Sequence, residues 1–555
     1  MLIRKPITPP TTLMTARSTR AAHAEGHAPE SNGSPNGRMD RVHFGAGAIG
    51  GSSMSRILFV TPPYNCWGVQ TIGNWPPLHL AYLAGAALKA AHEAKLYDAM
   101  NKKRSFEDIR AQIESYRPDF VMSLDYLPVT GAISTATVPA ALEALRVAKQ
   151  VDPNIVTMIG GPHPTFMYDE ILRDEDNHAD FVIRGEAEET LVELMATVPN
   201  GVADEVKGIA FLRDGEVVVT PQRTHIADLD SLEVAWHLLD WEDYHYNIEP
   251  WGRMASVLTS RGCMMGCSFC SQRMFWRGEW RARDPRKVVD EMRHLVEEYK
   301  VEFITLIDAY PTRDRERWIQ ILYRLIEADL DAHLLIETRV EDIIRDEDIL
   351  QKYCDAGIIH VYLGAETSTD EQLNSLNKGT TTDQNKQAVD LLKKHDIMVE
   401  ASFMIGFPNE TWDSIKATAA EAIRLNPDIA VFPVITPMPF TPLWDEMKDR
   451  IRVFDYSQYN LVTPIIEPYA MSLEEVTIAL GRCYMSFYAN KMTEILALPD
   501  GFKRRYMLSA MKQMMKDYGE HFDFLGLGMA KMSQMMPKMP KMPKMPKMPR
   551  RWRTR

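Results

Sequence analysis

Strand-like and helix-like segments alternate in two separate stretches of this 555-residue chain. This alternation restricts the possible fold more strongly than any other feature of the sequence. The first series runs from residue 54 to about residue 200, with strand-like RILFV, DFVMSLD, IVTMIGG and ADFVIRG and helix-like stretches such as LHLAYLAGAALKAA and AALEALRVAKQ. Strands that alternate with helices form parallel sheets with helices on both faces. Residues 54–200 are therefore predicted to be a doubly wound, Rossmann-like α/β domain with its ligand at the carboxyl ends of the strands.

The second series starts near Ser256 and covers a predicted domain at residues 251–450. Its strand-like segments are SVLTSRG, FITLID, HLLIETR, HVYLGAE, EASFMIGFP and DIAVFPVITP, each pair separated by a helix-like stretch. Six such units predict a partial or full TIM-type α/β barrel whose functional groups lie at the strand ends.

Shorter regions join and flank these two domains. Residues 201–250 are a predicted connector in which GIAFLRDGEVVVT indicates a hairpin with its turn at Asp214-Gly215. Residues 451–530 are predicted to be mostly helical. Residues 1–53, rich in Ala, Gly, Ser and Pro, are predicted to be a disordered extension. Residues 531–555 are a predicted disordered Lys/Met/Pro tail, because its prolines forbid a helix.

The extension contains a pattern that resembles a dinucleotide-binding loop. Gly45, Gly47 and Gly50 have G-x-G-x-x-G spacing. That fingerprint requires a strand before it and a helix directly after it. Here a loop and the strand-like RILFV follow instead, so a dinucleotide site is not predicted.

Charge and cysteine content exclude several classes of protein. The formal net charge is -13 and the pI is about 5.7, so nucleic acid is not an expected partner of the main body. Six cysteines, three of them clustered, do not resemble a secreted disulfide framework. No apolar run reaches the roughly 18 residues of a membrane span. A cytoplasmic enzyme is expected.

Three of the cysteines lie within eight residues in RGCMMGCSFCSQ, directly after a predicted strand. Cys263, Cys267 and Cys270 have C-x3-C-x2-C spacing. A structural zinc site needs four ligands, and no fourth thiol is nearby in sequence. An iron–sulfur cube held by only three thiolates keeps one iron open for chemistry. A zinc knuckle or three unrelated buried thiols are the alternatives.

With Phe269 before the third cysteine, this motif resembles the radical S-adenosylmethionine (SAM) superfamily. The resemblance implies a [4Fe–4S] cluster whose open iron binds the amino and carboxylate groups of SAM, and which cleaves SAM to a 5'-deoxyadenosyl radical when reduced. At other strand ends, Arg339 would then pair with the SAM carboxylate, and Glu366 would accept from the SAM ammonium or ribose. Ordinary salt-bridge charges are the alternative for both residues.

The first domain resembles the cobalamin-binding group of that superfamily through IGGPHPTF and IRGEAEETL. Gly160 and Gly161 would let a flat macrocycle approach the backbone, and His163 follows them as a candidate cofactor-binding residue. The D-x-H-x-x-G signature that supplies a cobalt ligand in methionine-synthase-type domains is missing. The resemblance therefore implies cobalamin but leaves its lower axial ligand undecided.

Within this group, GNWPP, GGPHPTFMY, CSFCSQRMFWR and FKRRYML resemble the oxygen-independent oxidative cyclases of magnesium-protoporphyrin IX monomethyl ester in bacteriochlorophyll synthesis. The resemblance implies a tetrapyrrole substrate and isocyclic ring formation with a keto oxygen from water. It also places Asn74 and Trp75 of GNWPP near a cofactor. Aromatic residues suit the cleft that a flat substrate needs, and the candidates are Trp67, Trp75, Phe275 and Trp276.

Two other functions fit the same motifs. A cobalamin-dependent radical SAM C-methyltransferase acting on a tetrapyrrole or other hydrophobic substrate needs the same cofactors, and a non-catalytic sensor needs fewer strand-end motifs. Both enzyme hypotheses, the cyclase and the C-methyltransferase, imply an external electron donor of flavodoxin or ferredoxin type. The basic tail suggests weak association with an anionic membrane surface, with a solvated extension as the alternative.

Overall fold

The computed structural model describes residues 54–64, 69–125, 135–201 and 203–524. Its first sheet has seven strands in the order 2-1-3-4-5-6-7. They are β1 (Arg56–Val60), β2 (Glu93–Tyr97), β3 (Phe120–Leu124), β4 (Val156–Gly160), β5 (Phe181–Ile183), β6 (Ile209–Arg213) and β7 (Glu216–Val219). Strands β1 to β5 are parallel, whereas β6 and β7 join antiparallel as a hairpin. The predicted turn at Asp214-Gly215 is confirmed, and the hairpin extends the first sheet.

Helices cover both faces of this sheet, as the doubly wound prediction requires. The short helix α1 (Val69–Ile72) comes first in the chain, and its Ile72 packs in the cluster that contains Trp75 and not against this sheet. The covering helices are α2 (Leu78–Lys89), α3 (Phe106–Tyr116), α4 (Val138–Val151), α5 (Pro162–Arg173) and α6 (Glu188–Thr197). One apolar core contains Phe59 and Leu191, and a second contains Leu58 and Leu145, so neighbouring residues of β1 face opposite cores. The strand order reverses direction between β1 and β3, where such sheets bind ligands.

The second half of the chain adds nine strands. They are β8 (His245–Tyr246), β9 (Gly252–Val257), β10 (Ser260–Gly262), β11 (Trp280–Ala282), β12 (Phe303–Leu306), β13 (His333–Thr338), β14 (Ile358–Glu366), β15 (Met398–Phe403) and β16 (Ile429–Val431). Six of them form a parallel sheet in the order 9-12-13-14-15-16, and β8 adds antiparallel at the β9 edge. Five of the six predicted barrel strands are confirmed as β12 to β16. The first, SVLTSRG, is divided between the end of β9 and β10, which lies outside this sheet. The sheet is open, so the barrel is partial.

Helices and one short hairpin surround this sheet. The helices are α7 (Gln272–Phe275), α8 (Pro285–Tyr299), α9 (Arg315–Ala328), α10 (Val340–Arg345), α11 (Leu350–Asp355), α12 (Asp370–Ser375), α13 (Thr382–Lys394), α14 (Trp412–Leu425), α15 (Pro442–Met447), α16 (Leu473–Ala497) and α17 (Phe502–Phe524). The hairpin is the antiparallel pair of β10 and β11. The long helices α16 and α17 agree with the predicted helical region near the carboxyl terminus.

Side chains alternate across the barrel sheet. Along β13, Leu334 and Ile336 belong to the core under the outer helices. Leu335 belongs to an inner cluster with Trp75 and with Tyr506 of α17. This alternation follows from the two-residue period of a strand. It fills one end of the barrel with apolar side chains and leaves the carboxyl ends of the strands for the site.

Several sequence predictions fall outside the described residues. These are the extension at residues 1–53 with Gly45, Gly47 and Gly50, the tail at residues 531–555, and Trp67. The domain boundaries at residues 200, 250 and 450 stay predictions. Among the described helices, none combines the length and apolar character needed to cross a membrane.

Candidate active site

The carboxyl ends of both sheets face one cleft, which encloses about 130 Å³. The first domain contributes His79, Leu83, Leu124, Asp125, Gly161, Pro162 and residues 185–188, and the barrel contributes Leu258, residues 260–262, Gln272, Phe275, Trp276, Ile307, Ala309 and Glu337. Two independent sheets thus present their functional edges to the same space.

Gly161 forms part of the cleft wall on the side of the first domain. It follows Gly160, the last residue of β4, and its φ is 113°. A Cβ at Gly161 would lie 1.6 Å from Oδ1 of Asp125, so glycine is required there by both conformation and space. The space that a side chain at Gly161 would need is therefore taken by the carboxylate of Asp125. Binding of cobalamin by Gly160 and Gly161 stays a prediction.

His163 lies beneath this wall and is not one of the lining residues. It is 1% exposed, and its Nδ1 is 3.2 Å from Oγ1 of Thr135. The imidazole packs edge-on against Tyr456 with ring centroids 4.8 Å apart. Burial lowers the pKa of His163 to about 3, so the ring is neutral. These contacts join the first domain to the segment after the barrel.

Two predicted aromatic residues, Phe275 and Trp276, lie on the barrel side of the cleft. Their rings meet edge-on with centroids 4.8 Å apart, and the indole N–H of Trp276 donates to Oε1 of Gln272 at 2.8 Å. This hydrogen bond fixes the indole against α7. The pair gives the cleft an apolar face beside the start of the cysteine loop.

Glu337 ends the inner row of β13 and lines the same cleft. Burial raises the pKa of its carboxyl to about 8, with smaller effects from Asp308 and Glu400 in the same direction and from Lys378 in the opposite one. The carboxyl is therefore largely protonated at neutral pH and presents a hydrogen-bond donor to the cleft.

The three cysteines occupy the loop that follows β10. All three are partly buried, and the backbone N–H of Cys270 donates to the carbonyl of Cys267 at 3.3 Å. Burial raises the pKa of the Cys263 thiol and raises that of Cys270 to about 12, so these thiols are protonated without a metal. Metal binding would have to displace those protons.

In the part of the chain that the structure describes, no three His, Cys, Asp or Glu side chains form a group that could hold a single metal ion. A [4Fe–4S] cube needs a different arrangement, because each thiolate binds a different iron. The cysteine loop supplies three thiols, and Arg339 and Lys378 are cationic neighbours of Cys263. The donor set and the nearby positive charge fit an anionic cluster that keeps one iron free.

The segment Leu376–Lys378 holds the cysteine loop in place. Ser268 donates its N–H to the carbonyl of Leu376 at 3.1 Å, and Asn377 donates its amide to the carbonyl of Gly266 at 2.9 Å. Lys378 is 9% exposed, and its ammonium is paired with Glu366. Sequence reasoning missed this segment, because an isolated Lys after a short helix looks like a surface charge.

The structure places Arg339 and Glu366 near this loop, but both already have partners in the protein. Arg339 donates to the carbonyl of Lys378 at 2.7 Å and to the carboxylate of Glu341 at 2.5 Å. Glu366 is 6% exposed and accepts from Lys378 at 2.5 Å. Their predicted contacts with SAM stay predictions, and the ion pairs are what the structure shows.

Asp308 follows β12 and supports the strand that leads into the cysteine loop. It is fully buried and accepts from the backbone N–H of Thr259 at 2.9 Å, from its hydroxyl at 2.7 Å and from the hydroxyl of Ser260 at 2.5 Å. Sequence reasoning missed Asp308. The acidic residue at the end of the strand-like FITLID is the signal that could have found it.

Asn74 and Trp75 lie outside the cleft lining. Trp75 is 3% exposed, belongs to the inner barrel cluster, and donates its indole N–H to Oγ1 of Thr305 at 3.3 Å. Asn74 donates its backbone N–H to the carbonyl of His245 at 2.9 Å. The structure thus shows packing contacts with the barrel for both residues. Their cofactor-binding role stays a prediction from the sequence.

Two family models match the chain in the order that the folds require. The B12 binding domain matches residues 68–195, and the radical SAM superfamily matches residues 257–422. The anaerobic magnesium-protoporphyrin IX monomethyl ester cyclase of Rubrivivax gelatinosus is 40% identical, over 85% of this chain and 84% of the relative. The chain belongs to the cobalamin-binding radical SAM family. The predicted [4Fe–4S] cluster, SAM and cobalamin are the cofactors of its two domains.

Other members of this family show the range of its reactions. The anaerobic cyclase of Cereibacter sphaeroides is also 40% identical, over 86% of this chain and 77% of the relative. An uncharacterized methyltransferase of Pyrococcus horikoshii is 31% identical, over 78% of this chain and 92% of the relative.

Solved structures confirm the fold of a cobalamin-binding radical SAM protein. The methyltransferase TsrM of Kitasatospora setae with cobalamin and a [4Fe–4S] cluster has a TM-score of 0.62 at 14% identity, covering 84% of this chain and 100% of that one. The cobalamin-dependent SAM radical enzyme OxsB has a TM-score of 0.61 at 15% identity, covering 84% of this chain and 72% of that one.

Proposed function

We propose that this protein is a radical SAM oxidative cyclase that forms the isocyclic ring of magnesium-protoporphyrin IX monomethyl ester without oxygen. The observation that carries the proposal is the 40% identity to two anaerobic cyclases, which extends over 85% and 86% of this chain and so through both sheets and the cleft between them. An apolar wall beside Phe275 and Trp276 suits a flat macrocycle.

When bound, SAM, the reduced cluster and cobalamin supply the radical chemistry that removes hydrogen from the propionate ester side chain. The protein holds these groups and orients the substrate. Cys263, Cys267 and Cys270 would hold three irons of the cluster, and the corrin would lie near Gly160 and Gly161, of which Gly161 lines the cleft. Glu337 holds a proton at its carboxyl and can donate it in a hydrogen bond to an oxygen of the substrate side chain.

Arg339 and Glu366 are proposed to contact SAM, Arg339 through its carboxylate and Glu366 through its ammonium or ribose. Support comes from their place at the ends of β13 and β14, where Arg339 is an electrostatic neighbour of Cys263 and Cys267. To contact SAM, Arg339 would have to bind the ligand as well as Glu341, and Glu366 would have to bind it as well as Lys378.

The reaction also requires electrons and water from outside the chain. We propose a flavodoxin or ferredoxin as the electron donor and the cytoplasm as the compartment. Weak membrane association through residues 531–555 is a further proposal. Deletion of these residues, which lie outside the described part of the chain, would then reduce recovery of the protein with membranes, and unchanged recovery would contradict it.

A C-methyltransferase is the second candidate function. It is favoured by the 31% identity to a methyltransferase over 78% of the chain, and it requires the same cofactors. The two candidates differ in their products. Ring closure adds a keto oxygen with loss of hydrogen, whereas methylation adds the mass of one CH2 unit.

An anaerobic assay decides between the candidates. Full-length protein with reconstituted cluster and cobalamin is incubated with SAM, reductant and magnesium-protoporphyrin IX monomethyl ester, and products are identified by mass spectrometry. Cys267→Ala removes a proposed cluster ligand. Cys354→Ala is the matched control, because Cys354 lies in α11 with its thiol against the carbonyl of His395.

The cyclase proposal expects deoxyadenosine and a ring-closed oxo porphyrin from the unmodified protein and from Cys354→Ala, and neither product from Cys267→Ala. Deoxyadenosine with a methylated porphyrin would support the methyltransferase instead. Deoxyadenosine with an untouched porphyrin would show that the substrate is wrong. Absence of deoxyadenosine from the unmodified protein would favour a sensor.

A further inference from the structure

A buried network of charges connects the two domains at the margin of the cleft. Arg261 of β10 donates to Oε1 of Glu186 at 2.8 Å and to Oε1 of Glu188 at 2.7 Å. Arg281 of β11 donates to Oε2 of Glu186 at 2.9 Å. Because β10 and β11 pair with Arg261 opposite Arg281, the hairpin presents two guanidinium groups to the loop between β5 and α6.

The network is closed to solvent. The side chains of Arg261, Glu186 and Glu188 are 6%, 3% and 7% exposed. Burial by itself would raise the pKa of Glu186, but Arg261 and Arg281 outweigh burial and lower it, so the carboxylate stays ionised. Removing one partner from such a buried network leaves an uncompensated charge and is strongly unfavourable.

Neutral groups complete the contact. The guanidinium of Arg261 lies over the ring of Tyr82 in α2, 5.0 Å from its centroid. Glu186 also accepts from the backbone N–H of Ile226 at 2.8 Å. Arg261 is therefore fixed by α2 and by the residues after β5, all of which belong to the sequence of the first domain.

The two ends of the network lie beside the two places where cofactors are expected to bind, which are the carboxyl edge of the first sheet and the cysteine loop. Glu186 lies in the loop after β5 and Glu188 is the first residue of α6, and both line the cleft at the carboxyl edge of the first sheet. Arg261 precedes Gly262 and Cys263, the first cysteine of the loop. Its other neighbour, Ser260, is held by Asp308. A shift of the loop after β5 must therefore displace the start of the cysteine loop or break buried ion pairs.

We infer that Arg261, Arg281, Glu186 and Glu188 are positioning residues that couple cobalamin binding in the first domain to SAM binding beside the cysteine loop. Cobalamin bound at the carboxyl edge of the first sheet restricts the motion of the loop after β5. The ion pairs between this loop and the hairpin then restrict the motion of the cysteine loop. By linkage, SAM must strengthen cobalamin binding by the same factor. The inference depends on the two cofactors and not on which reaction they perform.

Binding measurements without any porphyrin test this inference. The affinity of SAM for the full chain with reconstituted cluster is measured by anaerobic calorimetry, with and without hydroxocobalamin. Hydroxocobalamin is expected to tighten SAM binding about fivefold in the unmodified protein, a typical coupling between two sites. In the double variant Glu186→Gln/Glu188→Gln, this factor is expected to fall to about one.

Glu189→Gln is the matched control. Glu189 is the residue next to Glu188 in the same helix, but its side chain is 56% exposed and pairs with Arg223. The same change of charge at this position should leave the coupling factor unchanged. Hydrogen exchange of residues 260–270 supplies a second readout, since hydroxocobalamin should slow exchange there in the control and not in the double variant.

The affinity of hydroxocobalamin itself shows whether the first domain is folded in each variant. If the double variant does not bind hydroxocobalamin, Arg281→Met tests the same connection from the barrel side. Because the two ion pairs of Arg261 remain, it should lower the coupling factor while leaving cobalamin affinity in the absence of SAM unchanged. A coupling factor of one in the unmodified protein, or one that survives in the variants, would overturn the inference. Neither result would bear on the cyclase proposal, because no porphyrin is present.

Discussion

The ammonium nitrogen of Lys378 lies 2.5 Å from a carboxylate oxygen of Glu366, and both side chains are about nine-tenths buried. Burial lowers the pKa of Lys378, but Glu366 outweighs burial and the pKa is raised, so the ammonium stays charged. This pair connects the end of β14 to the segment that holds the cysteine loop. It places a permanent positive charge beside the three thiols.

Lys378→Met is expected to lower the free energy of unfolding by about 3–5 kcal/mol, because it leaves the carboxylate of Glu366 buried without its partner. Denaturant unfolding measures this change. Lys416→Met removes an exposed lysine, with a side chain 70% exposed and paired with Asp413, and should change stability by less than about 1 kcal/mol. Equal effects of the two substitutions would show that the buried pair contributes no more than a surface pair.

Gly161→Ala is expected to destabilise the first domain by about 3 kcal/mol or more, because φ is 113° and the new Cβ would overlap the carboxylate of Asp125. Gly215→Ala is the control. It has φ of 80° at the hairpin turn but no atom within 4 Å, so it should cost only about 1 kcal/mol. Thermal unfolding of both variants gives the comparison, and similar losses of stability would contradict the steric argument.

The sequence predicted the fold where strands are apolar and buried on both faces. β3, β4 and the barrel strands β12 to β16 are mostly of this kind, and their patterns identified each of them. The first four residues of β9 were missed, and two of them are only half-buried. β2, with the sequence EAKLY, was missed because it is an edge strand whose residues are exposed or half-buried. An edge strand needs no apolar face, so its pattern does not differ from that of a loop.

The cysteine motif stood out from its spacing alone, and Cys263, Cys267 and Cys270 stay the predicted cluster ligands. Contacts between distant segments were not predictable from the sequence. Lys378 reaches Glu366 only because the chain after α12 returns to the cysteine loop, and Arg261 meets Glu186 only because two sheets face each other. For Trp75 the sequence did not indicate the observed packing inside the barrel, and its predicted cofactor-binding role stays a prediction.

Asp308→Asn is expected to loosen the strand that leads into the cysteine loop. Asparagine offers one acceptor oxygen where Asp308 accepts from the backbone of Thr259 and two hydroxyl groups, and its amide would face donors. Leaving buried donors unpaired costs about 1–3 kcal/mol.

Iron per chain after anaerobic reconstitution measures the effect of Asp308→Asn on the loop, and thermal unfolding measures stability. Both values should fall. Asp331→Asn, at an exposed position before β13, is the control and should leave both values as they are in the unmodified protein. Full iron content in Asp308→Asn would show that the cysteine loop does not depend on this support.

Glu337 should make stability depend on pH in the direction opposite to that of an ion-paired carboxylate. Its pKa in the folded protein is about 8, above the ordinary value of 4.5, so the folded state holds this proton at pH values where the unfolded chain has lost it. The stability that the proton provides is fully present below pH 4.5 and is lost as pH rises through 8.

The expected result is that the unmodified protein loses stability relative to Glu337→Gln as pH rises from about 5 to 8, by at most about 1.4 kcal/mol per pH unit for one proton. Glutamine keeps the size of the side chain and cannot ionise. Urea unfolding at several pH values gives the difference in free energy of unfolding between the unmodified protein and the variant. Glu371 is an exposed carboxylate in α12, and Glu371→Gln is the control, for which this difference should not change with pH. A constant difference for Glu337→Gln as well would show that Glu337 is ionised in the folded protein, and its proposed role as a hydrogen-bond donor in the cleft would be wrong.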